Sequence, residues 1–346
     1  MYDINKKKIT ITIVGAGSWG TTLAVTLAKK GYRINLWTRS KNVYEEIKNS
    51  RKNTKYTSDL YIPENVIPFT DEGNKSNFFN VEIIIFAVPS HVLREVVLKF
   101  HNNLEENKEN IKCILNVAKG LETGSNLRLS QVIEQCVSLE LASKICVLSG
   151  PNIASEIALE LPSVSVVASR NKELIEYMQH VLSSDKFRVY SNDDIIGVEI
   201  CGAVKNVVAI AAGVSDGLGY KANTKASIIT RGLYELTKFG IAMGANPATF
   251  SGVAGMGDLI ATCISTNSRN RYVGERIAKG EKIDEILKNM YMVAEGVKTA
   301  EAVYKISKGM NIEVPITECV YKVIYEDLDP AESVKLLMTR KIKPEL

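Results

Sequence analysis

Residues 11–20 read ITIVGAGSWG. The strand-like run Ile11 to Val14 stops at Gly15, and two more glycines follow at Gly17 and Gly20. The next stretch, TTLAVTLAKKG, carries Leu23, Ala24, Leu27 and Ala28 on one helical face and closes on Gly31. Lys29 and Lys30 fall in its last turn, where the helix dipole favours cations. A G-x-G-x-x-G triplet that follows a strand and opens a helix is the dinucleotide-binding fingerprint. Each glycine has its own task. Gly15 makes the turn, Gly17 lets the backbone approach a pyrophosphate, and Gly20 lets helix and strand pack closely. The helix N-terminus attracts the phosphate charge. A plain strand-to-helix turn is the alternative.

Working outward, the second strand, RINLWTRS, ends on Trp37, Thr38, Arg39 and Ser40. An NAD site places an acid about 20 residues past the glycines, on the ribose 2′-hydroxyl. Here the next acid is Glu45. Arg39 suits a 2′-phosphate, so the tip points to NADP(H), with NAD(H) also accepted; an exposed loop arginine is the other reading. Near-continuous apolar runs at 9–14, 33–37, 81–88, 111–117, 144–148 and 164–168 predict strands buried on both faces. With helical stretches between most of them they imply a doubly wound parallel sheet, an α/β fold. The polar stretch 49–80, with Pro63 and Pro68, reads as an excursion from that sheet. Beyond Ser191-Asn192-Asp193-Asp194, a good helix start, helical patterns run at 195–214, 224–243, 271–279, 283–290, 298–308 and 316–326. The expected division is a Rossmann-type domain over 1–192 and an all-helical substrate domain over 193–346.

At 346 residues the chain is longer than one core usually serves. Its net charge of +4 is mild and scattered, which argues against a nucleic-acid partner. No apolar run reaches the ~18 residues expected of a membrane span, and the basic start MYDINKKK leads into a strand ending in glycines, a poor signal peptide. Cytoplasm is the expected compartment. The six cysteines include no C-x-x-C pair, and the three histidines lack ligand spacing, so reduced core thiols and no metal are expected.

Several polar residues stand where chemistry would need them. Ala87-Val88-Pro89-Ser90-His91 closes the third of these runs, and His91 reads as a general acid or a loop cap. Lys119, in NVAKG, falls at the carboxyl end of a strand, where open sheets bind ligands. Leu148-Ser149-Gly150-Pro151-Asn152 ends another strand, with Pro151 expected in a first helical turn. Lys205 and Asn206 interrupt EICGAVKNVVAIAA, a helix apolar nearly all round and therefore buried. Desolvation lowers a lysine pKa towards the range useful for proton transfer; snorkelling to the surface is the alternative. Asp258, in GMGDLI, is either the partner of that lysine or a helix cap. Ser268, Arg269, Asn270 and Arg271 open a helix, where two arginines oppose the dipole unless an anion is bound.

The chain closely resembles the bacterial NAD(P)-dependent glycerol-3-phosphate dehydrogenase family. The likeness runs nearly end to end and is carried by GAGSWGT, AVPSH, AKGLE, SGPNIASE, AVKNVVAIAAG, DGLG…NTKA…ITRG, GMGDLIATC, SRNR and LLMTRKIKPE. The resemblance implies reversible NAD(P)H-dependent reduction of dihydroxyacetone phosphate, feeding glycerophospholipid synthesis, with catalysis between the two domains. It implies Lys205 as the proton donor/acceptor, positioned by Asp258 and Asn206, with Lys119 adding positive charge beside the oxygen. Lys119, Gly150, Asn152, Asp258, Ser268, Arg269 and Asn270 match substrate positions, and Thr262 a substrate-adjacent one. Ser18, Trp19, Arg39, Ala154, Val293 and Glu295 match cofactor contacts beside Gly15, Gly17 and Gly20, and Lys119 and Arg269 also lie near the cofactor. Asn152 stands where a small hydroxyl residue is more usual, and Lys221-Ala222-Asn223 replaces a more typical Gly-Asp-Asn. The partners expected are a small-molecule substrate and, at most, a second copy of the chain in a homodimer. A different hydroxy-acid dehydrogenase and a non-enzymatic NAD(P)H-sensing module are the rival readings.

Overall fold

The computed structural model describes residues 9–57, 59–71, 81–342 and 344–345. The basic start at 1–8 and part of the polar stretch, 72–80, lie outside the described residues. The chain divides into two compact units, one comprising Met1–Lys119 and Leu127–Val198, the other Gly120–Asn126 and Glu199–Leu346.

The first unit is built on an eight-stranded sheet. Its strands are β1 (Thr10–Val14), β2 (Arg33–Trp37), β3 (Val66–Phe69), β4 (Ile83–Phe86), β5 (Cys113–Asn116), β6 (Ile145–Ser149), β7 (Ser163–Ala168) and β8 (Phe187–Asn192). They lie in the order β3-β2-β1-β4-β5-β6-β7-β8. All neighbours are parallel except β6 and β7. The order reverses at β1, which pairs with β2 on one side and β4 on the other, Ile11 lying opposite both Ile34 and Ile83. That reversal is the point where open sheets hold ligands, and the glycine loop emerges there. Strands β4, β5 and β6 are buried at every residue, which explains their unbroken apolar runs. Ile11, Ile13, Ile34, Leu36, Ile83 and Ile85 join Leu23 and Leu27 of the helix Ser18–Lys29 in one core.

Two strands depart from the sequence expectation. β3 lies inside the stretch read as an excursion, and it contains Pro68. It pairs only with β2, so it is an edge strand, where the missing proline N–H is tolerated. β8 is the other edge; it alternates buried Phe187 and Val189 with exposed Arg188 and Tyr190, a half-polar pattern that conceals a strand.

The second unit is helical. The helix Ile195–Gly217, which runs into it from the first unit, is 23 residues long and apolar enough by length and composition to cross a bilayer, but 89% of its most apolar window is buried inside the protein, as befits a core helix. The helices Ala222–Ala242, Arg269–Ala278, Ile283–Lys288, Glu295–Gly309 and Pro315–Tyr325 match predicted segments; Asp258–Ile264 was foreseen only as the helix that Asp258 would cap, and Pro330–Met338 was not predicted. Glycines around Asp258 discourage a helical reading, yet Gly255 is there because a Cβ would lie 2.2 Å from the Phe250 carbonyl oxygen. The N-terminus of Pro315–Tyr325 has no side-chain cap of its own. Glu235, from the helix Ala222–Ala242, accepts hydrogen bonds from Ile316 N at 2.6 Å and Thr317 N at 3.2 Å instead. Burial pushes the Glu235 carboxyl up to about 7, against the lowering effect of those bonds.

Candidate active site

In the first unit, three different constraints act on the three glycines. Gly15 adopts φ +121°, and a Cβ there would lie 2.6 Å from the Ala87 carbonyl oxygen. At Gly20 a Cβ would lie 1.9 Å from the Gly15 oxygen. At Gly17 it would meet nothing within 4 Å. Gly17 is also the N-cap of Ser18–Lys29 and makes no side-chain cap, which leaves first-turn N–H groups for an anion. A turn, a tight packing contact and an open approach are what a bound dinucleotide requires of these residues. Trp19 packs edge-on to Phe187, with a buried indole N–H that has no hydrogen-bond partner. Thr22 Oγ1 lies 3.5 Å from the Ala154 carbonyl oxygen. Ala154 opens the helix Ala154–Ala158 with Ile153 as N-cap, so Pro151 lies before the helix and not in its first turn.

At the tip of β2, Arg39 is exposed and makes no hydrogen bond or ion pair with another described residue. Thr38 is buried and its hydroxyl oxygen accepts from Ser40 N at 3.2 Å. Ser40 caps the helix Lys41–Ser50 through Val43 N at 3.4 Å. Both hydroxyls therefore serve the local turn as acceptors, and Arg39 is the group turned outward.

Lys119 and Gly150 come together at the ends of neighbouring strands β5 and β6: Lys119 Nζ donates to the Gly150 carbonyl oxygen at 2.8 Å. Gly150 has φ +138°, and a Cβ would lie 3.0 Å from Ser165 Cα. Asn152 Nδ2 donates to Ser165 Oγ at 3.1 Å, and that hydroxyl donates to the Ser149 carbonyl oxygen at 2.8 Å. Asn152 Oδ1 is buried without a partner, an acceptor open to a donor.

In the second unit, Lys205 does not snorkel. It is 6% exposed, and Nζ lies 2.6 Å from Asp258 Oδ1 and 2.6 Å from Thr262 Oγ1. Asp258 is the first residue of its helix and Gly257 the cap, so the ion-pair reading of Asp258 holds over the capping one. Asp258 gives a buried ammonium the counter-charge that burial demands. The Asn206 side chain turns elsewhere: Nδ2 donates to Gly202 O, and Oδ1 accepts from Asn270 Nδ2 at 2.8 Å. Asn270 Oδ1 in turn accepts from Gly296 N at 2.9 Å. Asn206 thus orders Asn270 and makes no bond to Lys205.

Ser268 caps the helix Arg269–Ala278 through Arg271 N. The two arginines of this turn part company. Arg271 is neutralised by Asp216 at 2.6 Å, and Lys225 pairs with the same carboxylate at 2.7 Å. Arg269 donates to the Val293 carbonyl oxygen at 2.9 Å, close to Glu295, the first residue of Glu295–Gly309. Desolvation lowers the Arg269 guanidinium from its ordinary value and Glu295 opposes it, and the group stays cationic at neutral pH. The unfavourable charge at the helix start thus belongs to Arg269.

Sequence reasoning missed Asp216, Asn53 and Glu235, which meet Arg271 across 55 residues, Ala16 across 37 and Ile316 across 81. His91 is exposed in the 3-10 turn Ser90–Val92. Among the described residues, five cysteines are buried and Cys319 half-buried, none in a disulfide. Burial pushes Cys263 up to about 12 and Cys319 to about 11, so these thiols are inert at neutral pH.

A sheet whose order reverses beside the glycine loop, joined in one chain to a helical unit with a buried lysine–aspartate pair, defines a nicotinamide-nucleotide-dependent dehydrogenase. The match to known proteins narrows the class. The description NAD-dependent glycerol-3-phosphate dehydrogenase N-terminus fits residues 10–175, and its C-terminus counterpart fits residues 194–335. Glycerol-3-phosphate dehydrogenase [NAD(P)+] of Thermoanaerobacter sp. (strain X514) is 44% identical over 97% of this chain and 98% of its own length. The protein of the same description from Clostridium perfringens (strain SM101 / Type A) is 45% identical with equal coverage. The crystal structure of glycerol-3-phosphate dehydrogenase from Coxiella burnetii superposes with a TM-score of 0.88 at 36% identity, covering 96% of this chain and 99% of that one. The chain belongs to the NAD-dependent glycerol-3-phosphate dehydrogenase family.

Proposed function

We propose that the chain reversibly reduces dihydroxyacetone phosphate to sn-glycerol 3-phosphate, with NADP(H) or NAD(H) as cofactor. The observation that carries the reading is the Lys205–Asp258–Thr262 cluster, a proton-bearing group held at one position on a largely apolar, buried helix. The dinucleotide, when bound, supplies the hydride. Lys205 Nζ delivers its proton to the C2 oxygen as that oxygen gains charge, and takes it back in the reverse direction. Asp258 and Thr262 hold the ammonium so that no reorganisation is needed at that moment. Lys119 stands as a second cation for the substrate oxygen, oriented by Gly150. Arg269, with the hydroxyl of Ser268 and the remaining amide hydrogen of Asn270, holds the substrate phosphate, and that remote binding orients the carbonyl. Asn152 Oδ1 is an acceptor for a substrate hydroxyl.

Residues 1–192 would then hold the dinucleotide, through Gly15, Gly17, Ser18, Trp19, Gly20, Arg39 and Ala154, with Val293 and Glu295 contributing from the later segment. Arg39 gives NADPH the preference. The same reading places the enzyme in the cytoplasm, as a homodimer feeding glycerophospholipid synthesis. The deciding test follows NADPH absorbance after dihydroxyacetone phosphate is added. Turnover that falls away when the phosphate ester is replaced by a 2-oxo acid supports the reading. Preference for the oxo acid would make the chain a hydroxy-acid dehydrogenase, and NADPH binding without turnover would make it a sensing module.

A further inference from the structure

Asn53 takes no part in the site as read from the sequence, yet its side chain touches the glycine loop. It is fully buried, at 0% exposure. Its Nδ2 donates to the Ala16 carbonyl oxygen at 2.9 Å and to Thr21 Oγ1 at 2.9 Å. One carboxamide therefore uses both N–H groups on a single stretch of chain, across 37 and 32 residues of sequence. Asn53 is itself held by its backbone, because its carbonyl oxygen accepts from Tyr56 N and Thr57 N of the helix Thr54–Thr57.

The consequence follows from the planarity of the peptide bond. In a trans peptide the carbonyl of residue i and the N–H of residue i+1 point in opposite directions, and the described chain has no cis peptide. With the Ala16 carbonyl pinned inward on a buried donor, the Gly17 N–H is turned the other way. Gly17 faces space in which a Cβ would meet nothing within 4 Å. Thr21, tied by the same carboxamide, makes the first bond of the helix ladder through its N–H to the Gly17 carbonyl oxygen at 2.9 Å. Both ends of the 16–21 turn are thus fixed from one point.

We propose that Asn53 is a positioning residue for the cofactor: by clamping the Ala16 carbonyl it aims the Gly17 N–H at the dinucleotide pyrophosphate. This rests on the reading of the glycine loop as the dinucleotide site. A preset donor binds an anion without the entropy cost of ordering the loop at that moment. Asn53→Asp keeps the shape and removes both donors, setting a carboxylate oxygen against the Ala16 carbonyl. Asn53→Ser removes them without adding charge.

The test measures Kd for NADPH and for adenosine 2′-monophosphate, which lacks the pyrophosphate, on the full chain, together with steady-state kinetics. In both variants we expect NADPH to bind about 10- to 100-fold more weakly. Adenosine 2′-monophosphate should bind within about 2-fold of the unmodified protein, and KM for dihydroxyacetone phosphate and kcat at saturating NADPH within about 3-fold. Thr21→Val, which leaves the Ala16 bond intact, should bind NADPH within about 2-fold. NADPH affinity unchanged in a folded Asn53→Ser overturns the proposal, as does an equal loss for both ligands, which would mark a general structural role. Should Asn53→Asp fail to fold, Asn53→Ser decides alone. If the unmodified protein itself binds no NADPH, the site reading has failed and not the clamp.

Discussion

The glycine loop and the Lys205 cluster prepare for charge in opposite ways. The loop works through side chains that are absent: Gly20 exists because a Cβ would lie 1.9 Å from a backbone oxygen, and Gly17 leaves an approach open. Its binding groups are backbone N–H donors, so they carry no net charge and need no counter-ion. The Lys205 cluster works through a full charge taken out of water, made tolerable by Asp258 and Thr262, which meet it at 2.6 Å each. The first arrangement fails when atoms are added. The second fails when a partner is removed. Catalysis that moves a proton needs the second kind, because a backbone amide has no proton to give at neutral pH.

Substitutions can break that contrast, and the largest effect is expected at Lys205. Lys205→Met should cut kcat by about 10²–10⁴ while leaving NADPH affinity near that of the unmodified protein. Rapid-mixing kinetics beside equilibrium binding would show the split, and near-normal turnover would remove Lys205 from the chemistry.

The steric half of the comparison is tested by two alanines three residues apart. Gly20→Ala should destabilise the chain by about 3 kcal/mol or more, since it must displace the Gly15 backbone. Gly17→Ala should leave stability within about 0.5 kcal/mol yet weaken NADPH binding about tenfold. Urea unfolding and cofactor titration on both variants separate the two. A Gly17→Ala protein that binds as tightly as the parent would mean that the open approach is not where the pyrophosphate lies.

A third test sharpens the comparison by using a buried charge that has no catalytic task. The Glu235 carboxyl is pushed up to about 7 by burial, from an ordinary 4.5. Between those values the folded chain keeps a proton that the unfolded chain has lost. Stability from this group is therefore fully present below about pH 4.5, falls as pH rises, and levels off above about pH 7, a change of about 3 kcal/mol. Glu235→Gln, which removes the titrating group and keeps one of the two oxygens that accept from Ile316 N and Thr317 N, should flatten that slope in urea melts taken across the range. An unchanged slope would assign the pH dependence to other groups.

The smallest effect is expected at the tip of β2. Arg39→Asp should reverse the cofactor preference, costing NADPH about 1.5–3 kcal/mol in kcat/KM relative to NADH. If the parent already prefers NADH and the substitution moves nothing, Arg39 is an ordinary surface residue.

The glycine loop was legible in the sequence because its function is local. Turn, approach and packing are decided within six residues, and the strand before and helix after them are neighbours in the chain. The buried central strands were legible for a similar reason, since strands covered on both faces must read as apolar runs. The edges were not: Pro68 and the alternating pattern of β8 are what a half-exposed strand allows, and they imitate loop. In the second unit the sequence could mark Lys205 as an anomaly in an apolar helix, but it left Asp258 divided between partner and cap. The separation of 53 positions carries no signal of contact; only packing brings the two groups within 2.6 Å. Tertiary structure likewise turned Asn206 away from Lys205 towards Asn270, assigned Arg271 to Asp216 while leaving Arg269 at the helix start, and put Asn53 beneath the glycine loop. The physical reason is common to all four. Backbone conformation is governed by neighbours in sequence, so sequence determines it, whereas a buried polar group is satisfied by whatever the fold brings to it, and that choice is made only when the chain is packed.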